Sequence, residues 1–198
     1  METRAKLLKA TFKLVEKKGI DKTTMDDITE KADLGRRTLY YHFGSKEECI
    51  IAAVAEEYSK FAQAADQSAH KHEDPAVAVA IAALIVMKAL LEAPVTAQLG
   101  ANPRMLANAL KASVRDFIYQ DIAIGVEQGR FTPVIEGPLL DTSVMWTMVG
   151  FLIETIDNGD QLKDTLCNFI QMHMVFLGLS AQEAIAITDQ AVELLNTP

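Results

Sequence analysis

Residues 35–50 read GRRTLYYHFGSKEECI. Two arginines, two tyrosines, a histidine and a lysine stand here among apolar residues. A core helix does not carry that much cationic and polar-aromatic surface. Leu39 and Phe43 recur at i, i+4 and give a short helix, Arg36 to about Phe43, an inward stripe. Its outer faces and ends hold Arg36, Arg37, Thr38, Tyr40, Tyr41 and His42. Gly44 stops this helix. Ser45 and Glu48 then form a capping box, and a long helix runs on towards Ala69.

Upstream, ETRAKLLKATFKLVEKKG (2–19) puts Ala5, Leu8, Phe12 and Val15 on one helical face, with Gly19 as its end. After a turn at IDKT (20–23), Thr24 opens a second helix with Asp27 as its capping-box partner, and Met25, Ile28 and Ala32 face inward. DLG (33–35) is a tight turn into the third helix. Three short helices in about 45 residues, the last two joined by a short turn, have the layout of a helix-turn-helix. In that layout Arg36 and Arg37 stand at the end of the recognition helix that meets base edges, where arginine can donate two bonds to guanine O6 and N7. Tyrosine hydroxyls and Lys46 suit phosphate oxygens. The helix starts at Thr24 and Ser45 add backbone N–H groups for the same purpose. The competing reading of the spacing alone is a helical hairpin with a solvated basic face.

Charge is divided along the chain. Residues 1–50 hold 11 Lys/Arg and 9 Asp/Glu, a net of +2, and residues 51–198 hold 8 and 18, a net of −10. A basic head on an acidic body points to an anionic partner for the head alone. The N-terminus METRAKLLKA has no apolar stretch of the signal-peptide kind. The longest apolar run, AVAVAIAALIVMKALL, is broken by Lys88 and reads as a buried or amphipathic helix rather than a membrane span. Cys49 and Cys167 lie far apart and in no paired motif, which fits a reducing cytoplasm.

Helical periodicity continues to the end of the chain, and the expected fold class is all-α with nine or ten helices. Asp74 caps a helix with Pro75 at its first position. EAPVTAQLGANPRM (92–105) is a broken region, and Asn102–Pro103 restarts a helix carrying Met105, Ala109, Leu110, Phe117, Ile118, Ile122 and Val126. GRFTPVIEGP (129–138) is a loop, and Asp141 caps a helix with Val144, Met145, Met148, Val149, Leu152 and Ile156. DNGD (157–160) is a turn, and Leu162, Leu166, Phe169, Ile170, His173 and Leu177 share the next helix. Ser180 and Glu183 cap a final helix ending near Leu195.

No G-x-S-x-G, H-E-x-x-H, P-loop or dinucleotide glycine motif occurs, so no catalytic residues, enzyme activity or cofactor are expected. HKHED holds His70, His72, Glu73 and Asp74, but the i, i+2 histidines do not share a helical face, so a solvated turn and no metal is the expectation. His173 lies on an apolar face and reads as a core or interface histidine.

The stretch TTMDDITEKADLGRRTLYYHFGSKEECI (23–50) closely resembles the DNA-binding segment of TetR-family transcriptional regulators, with TLYYHFGSKEE its most specific part. The likeness covers roughly residues 4–55. It implies an all-α homodimer. A three-helix helix-turn-helix domain (1–48) would bind a palindromic operator in double-stranded DNA, and a larger helical domain (49–198) would bind a small-molecule effector and dimerise. The family's usual mode is repression relieved by the effector, with activation as the alternative.

By the resemblance, Arg36, Arg37 and Thr38 fall where bases and nearby phosphates are read. Tyr40, Tyr41, His42 and Lys46 fall at backbone-contacting positions, Tyr40 also touching a base, and Thr23 and Thr24 match the phosphate-contacting helix start. Ala-Asp-Leu-Gly stands at 32–35 where the family often has Ala-Gly-Val-Ser, so the cap is Gly35 and Asp33 takes a glycine position. Arg37 replaces what is often a small residue, and Asp26 stands where a basic or polar contact residue is common. These departures point to an operator unlike the best-known ones.

The resemblance also puts dimer contacts on the helices at about 141–157 and 161–178, and the effector among those spanning about 75–157. There Met87, Met105, Phe117, Tyr119, Trp146, Met148 and Phe151 are candidates to line an apolar cavity, methionine adapting to varied ligands. Asn108, Arg115, Tyr119, Gln120 and Glu154 are candidate polar groups, and an apolar or amphipathic effector is expected.

Overall fold

Helices α1 (Glu2–Lys18), α2 (Met25–Ala32) and α3 (Arg36–His42) close on a small apolar cluster of Leu7, Leu8, Ile28, Leu39, Phe43, Cys49 and Ala53. The last two come from α4 (Lys46–Ala69), whose next positions, Ile50, Val54 and Tyr58, enter a second and much larger cluster. One helix therefore presents adjacent stripes to two cores, and this fixes the head to the body. The structure, a computed structural model, describes residues 2–158 and 162–196, all-α with eleven helices among them.

The body is built around α5 (Pro75–Glu92), which packs against α4, α8 (Arg115–Glu127), α9 (Gly137–Asn158), α10 (Leu162–Phe176) and α11 (Ala181–Asn196). Helices α5 and α9 are long and apolar enough, by length and composition, to cross a membrane. In the fold α5 is the central core helix, with Ala76, Ala80, Ile81 and Leu90 buried and Lys88 exposed. Asp74 caps it by accepting from the Ala76 N–H at 2.8 Å, and Pro75 occupies its first turn.

Several local expectations are corrected. On α1, Ala5 is exposed, while Leu7, Ala10 and Thr11 are buried beside Leu8 and Val15, because α1 packs on both α2 and α4 and needs a wider stripe. At the start of α4, Ser45 accepts from the Glu48 N–H at 3.0 Å, but the Glu48 carboxylate reaches back to the Gly44 N–H at 2.7 Å rather than to Ser45. The broken region at 92–105 contains a short helix, α6 (Pro94–Gly100), whose Val95, Thr96 and Leu99 are buried; Thr96 hydrogen-bonds Tyr58 at 2.7 Å.

The single helix expected from Asn102 is two, α7 (Pro103–Ser113) and α8, broken at Val114. The Ser113 hydroxyl donates back to the carbonyl of Ala109 at 2.7 Å, a bond that bends helices. Helix α9 starts at Gly137, so Asp141 lies inside it and accepts from Arg115 Nε at 3.0 Å instead of capping. The end of the DNGD turn and the side chain of Leu162 lie outside the described residues.

The 129–138 loop is tied down. Arg130 bridges Asp74 at 2.8 Å and Glu183 at 2.8 Å, and Thr132 N–H donates to Leu177 O at 2.9 Å. Gly178 (φ +95) is required there, since a Cβ would collide with the Thr132 backbone.

Candidate nucleic-acid interface and effector cavity

The head is held by caps and one ion pair. Thr24 and Asp27 form a reciprocal capping box at the start of α2, and Lys18 Nζ lies 2.5 Å from Asp27 Oδ2, joining the end of α1 to that start. The lysine and Thr24 hold the Asp27 carboxyl down at about 2. The turn to α3 passes through Asp33 at φ 53, a left-handed conformation that aspartate tolerates better than most residues. Its N–H and that of Leu34 return to the carbonyls of Glu30 and Thr29. Gly35 begins α3 with no side-chain cap.

On α3, Leu39 is fully buried and Phe43 nearly so, which turns the opposite face outward. Arg36 and Arg37 are exposed at its first turn, Thr38 is half-buried, and Tyr40 and Tyr41 are 56% and 84% exposed. Exposed tyrosines on so short a helix gain nothing from folding. His42 meets Tyr41 edge-on at 5.2 Å. Arg36 pairs with Asp26 of α2 at 2.5 Å, across a shallow polar dip between the two helices. Lys46 Nζ donates to Ile20 O at 3.4 Å from the first turn of α4. Thr24 is exposed, but Thr23 is buried and its hydroxyl donates to Gly19 O at 2.7 Å, so its side chain is an internal peg.

The body encloses a cavity of about 90 Å³ between α4, α5, α8, α9 and α10. Val86, Met87, Phe117, Ile122, Met148 and Phe169 represent its apolar walls. Three titratable side chains also line it: Asp66, Asp121 and His173. His173 Nδ1 lies 2.8 Å from Phe169 O and Nε2 lies 2.9 Å from Thr147 Oγ1, and burial holds its pKa below the usual imidazole value. Burial pushes the Asp121 carboxyl up to about 6, His70 opposing and Asp66 reinforcing the rise. Donor atoms of Asp66, His70 and Asp121 lie within 4.8 Å of one another.

Residues 7–53 match the family model described as bacterial regulatory proteins, tetR family. The match is confined to the head, α1 to the start of α4. The HTH-type transcriptional regulator TtgR of Pseudomonas putida is 38% identical over 53 residues, 27% of this chain and 25% of its own length. The HTH-type transcriptional repressor KstR of Mycobacterium tuberculosis is 32% identical over 68 residues, 34% of this chain and 31% of its own. These matches span only about a quarter to a third of the curated relatives. The solved structure of RolR in complex with resorcinol is similar over nearly the whole chain. Its TM-score is 0.81 at 25% identity, covering 96% of this chain and 94% of that one.

In this head, the predicted residues Thr24, Arg36, Arg37, Thr38, Tyr40, Tyr41, His42 and Lys46 come together on α2, α3 and the start of α4, and Thr23 lies beneath them. The body is more mixed. Met87, Phe117 and Met148 line the cavity. Met105 is buried outside its lining, Phe151 packs on Phe169 at 4.7 Å, and Tyr119 lies under the Arg115 guanidinium at 4.6 Å. Trp146 is 43% exposed on the outside of α9. Sequence reasoning missed Asp66 and Asp121. Each sits on an apolar stripe, Asp66 beside Ala62 and Ala65 and Asp121 beside Phe117, Ile118 and Ile122, and that misplacement was the available signal.

Proposed function

We propose that the chain is a dimeric, effector-responsive transcriptional regulator, acting as a repressor in the cytoplasm. The head (1–48) binds one half of a palindromic operator, and the body (49–198) binds a small effector and dimerises. The observation that carries this reading is the exposed face of α3: two arginines and two tyrosines outward, with Leu39 and Phe43 anchoring the other side. Arg36 and Arg37 read base edges with Thr38 beside them. Thr24, Tyr40, Tyr41, His42 and Lys46 hold the sugar–phosphate backbone. Thr23 supports this set from below.

Dimerisation supplies the second head, since specific sites need two half-sites about one helical turn apart. Trp146 on α9 and Met172 and Val175 on α10 are large apolar side chains left 36–43% exposed, and they support the 141–178 face as the place where a second copy packs. The cavity supports a small, mainly apolar effector, as does the resorcinol complex of RolR. Such a molecule shifts the heads only by its differential affinity for the two dimer states.

Binding to duplex DNA at rising salt tests the reading. A head that holds phosphates loses affinity steeply with salt. A flat salt response would exclude DNA as the partner.

A further inference from the structure

We propose that the cavity takes a compact, uncharged, hydroxyl-bearing ring whose hydroxyl groups donate hydrogen bonds to Asp66 and Asp121, and that it turns away carboxylates. This rests on reading the cavity as the effector site.

The walls decide the chemistry. Among the described residues, the cavity-lining side chains other than Asp66, Asp121 and His173 are apolar. Most wall residues lie beyond the first turn of their helices, so most of the N–H groups are committed to carbonyls four residues back. His173 is also committed. Its Nδ1 faces a carbonyl at 2.8 Å and must donate, so in the neutral ring Nε2 is an acceptor, held 2.9 Å from the Thr147 hydroxyl, whose one proton it shares with the Ser143 carbonyl at 2.7 Å. Burial favours that neutral ring. His173 therefore offers the cavity a ring face, continuing the stack with Phe169 at 4.2 Å and Phe176 at 5.8 Å.

What remains is carboxylate oxygen. Asp66 lends one oxygen to His70 Nδ1 at 3.1 Å and keeps the other. Asp121 makes no ion pair or hydrogen bond among the described residues, and its raised pKa is what burial without a partner produces. An ionised carboxylate only accepts. A ligand hydroxyl placed there gives a half-buried acceptor a partner, in surroundings where the bond is stronger than in water. A ligand carboxylate would meet two like charges at low dielectric. A cation would have to shed its hydration among apolar walls, a cost opposed by its attraction to the two carboxylates, and the benzylamine probe decides that balance.

Size restricts the ligand further. The space is about 90 Å³, and an apolar cavity of about 150 Å³ takes benzene. One ring is therefore the upper limit, with Met87, Met148 and Met174 able to yield around it.

The test titrates the full-length protein, without DNA, by calorimetry and thermal shift. The probes are phenol and 1,3-dihydroxybenzene, their methyl ethers, benzoate and benzylamine. The phenols are expected to bind at least about 10-fold tighter than the ethers and benzoate, the worth of one hydrogen bond to a charged group. Asp121→Asn and Asp66→Asn should each remove most of that preference and leave ether binding unchanged. EDTA should change nothing. Ethers or benzoate binding as well as the phenols, benzylamine binding tighter than either phenol, binding by no probe, or loss of binding in EDTA would each overturn the proposal. The last would make Asp66, His70 and Asp121 a metal bridge. Release of bound DNA is scored separately: phenols that bind without releasing DNA would leave this inference standing and remove the regulatory reading of the cavity.

Discussion

On α3 the polar side chains project from one short helix into solvent, whereas around the cavity Asp66, Asp121 and His173 come from three separate helices and face inward. The head's partner must therefore come to a surface that one contiguous stretch encodes. The body's partner must fit a space that no single stretch encodes. The cores differ in the same way. The head rests on seven buried residues, two of them borrowed from α4, while the body shares one large cluster across the remaining helices.

The sharpest way to break this contrast is to empty each core in turn. Leu39→Ala removes a fully buried side chain from the small cluster, and such truncations cost about 2–5 kcal/mol. DNA binding should be lost while phenol binding, measured calorimetrically, survives. Equal loss of both would show that head and body unfold as one unit. On the surface of the head, Arg37→Ala should cost about 1–3 kcal/mol of operator affinity and relax specificity at one position per half-site, with an unchanged melting temperature. Lys46→Ala should weaken all duplexes alike and reduce the salt slope by about 1 per head.

In the body the contrast becomes a pH dependence. A carboxyl raised from 3.8 to about 6 keeps its proton in the folded state over a range where the unfolded chain has lost it. Stability should therefore fall as pH rises through about 4 to 6, and the penalty should persist above that. Asp121→Asn removes the penalty. It should stabilise the protein at pH 7.5 by about 1 kcal/mol, allowing for partial solvent screening, with little gain below pH 4. Urea unfolding at several pH values measures this, and a variant no more stable than the parent would mean that Asp121 is effectively solvated. The smallest effect belongs to Gly35→Ser. The backbone there is ordinary for an L residue (φ −73) and a Cβ meets nothing within 4 Å. A serine cap should add a few tenths of a kcal/mol to head stability, visible in thermal melts.

The same contrast explains what could be read in advance. The head was legible because its signals are local: a capping box at Thr24–Asp27, an i, i+4 pair at Leu39 and Phe43, a stop at Gly44. Even there, Thr23 looked like a surface hydroxyl because sequence does not say which of two adjacent threonines turns inward. Where signals conflicted, boundaries slipped. Ser113 bends a helix whose apolar spacing continues through the bend, and Asp141 looked like a cap while serving Arg115. The cavity was only half legible. Met87, Phe117 and Met148 were found by residue type, but Asp66 and Asp121 become a pair only once α4 and α8 pack beside α5.

The most direct test of the central claim is selection of bound sequences from a random duplex library by the purified protein at physiological salt. The proposed dimeric regulator should enrich one inverted repeat, and Arg37→Ala should blur one position in each half. Enrichment of no sequence, with retention independent of salt, would contradict the account.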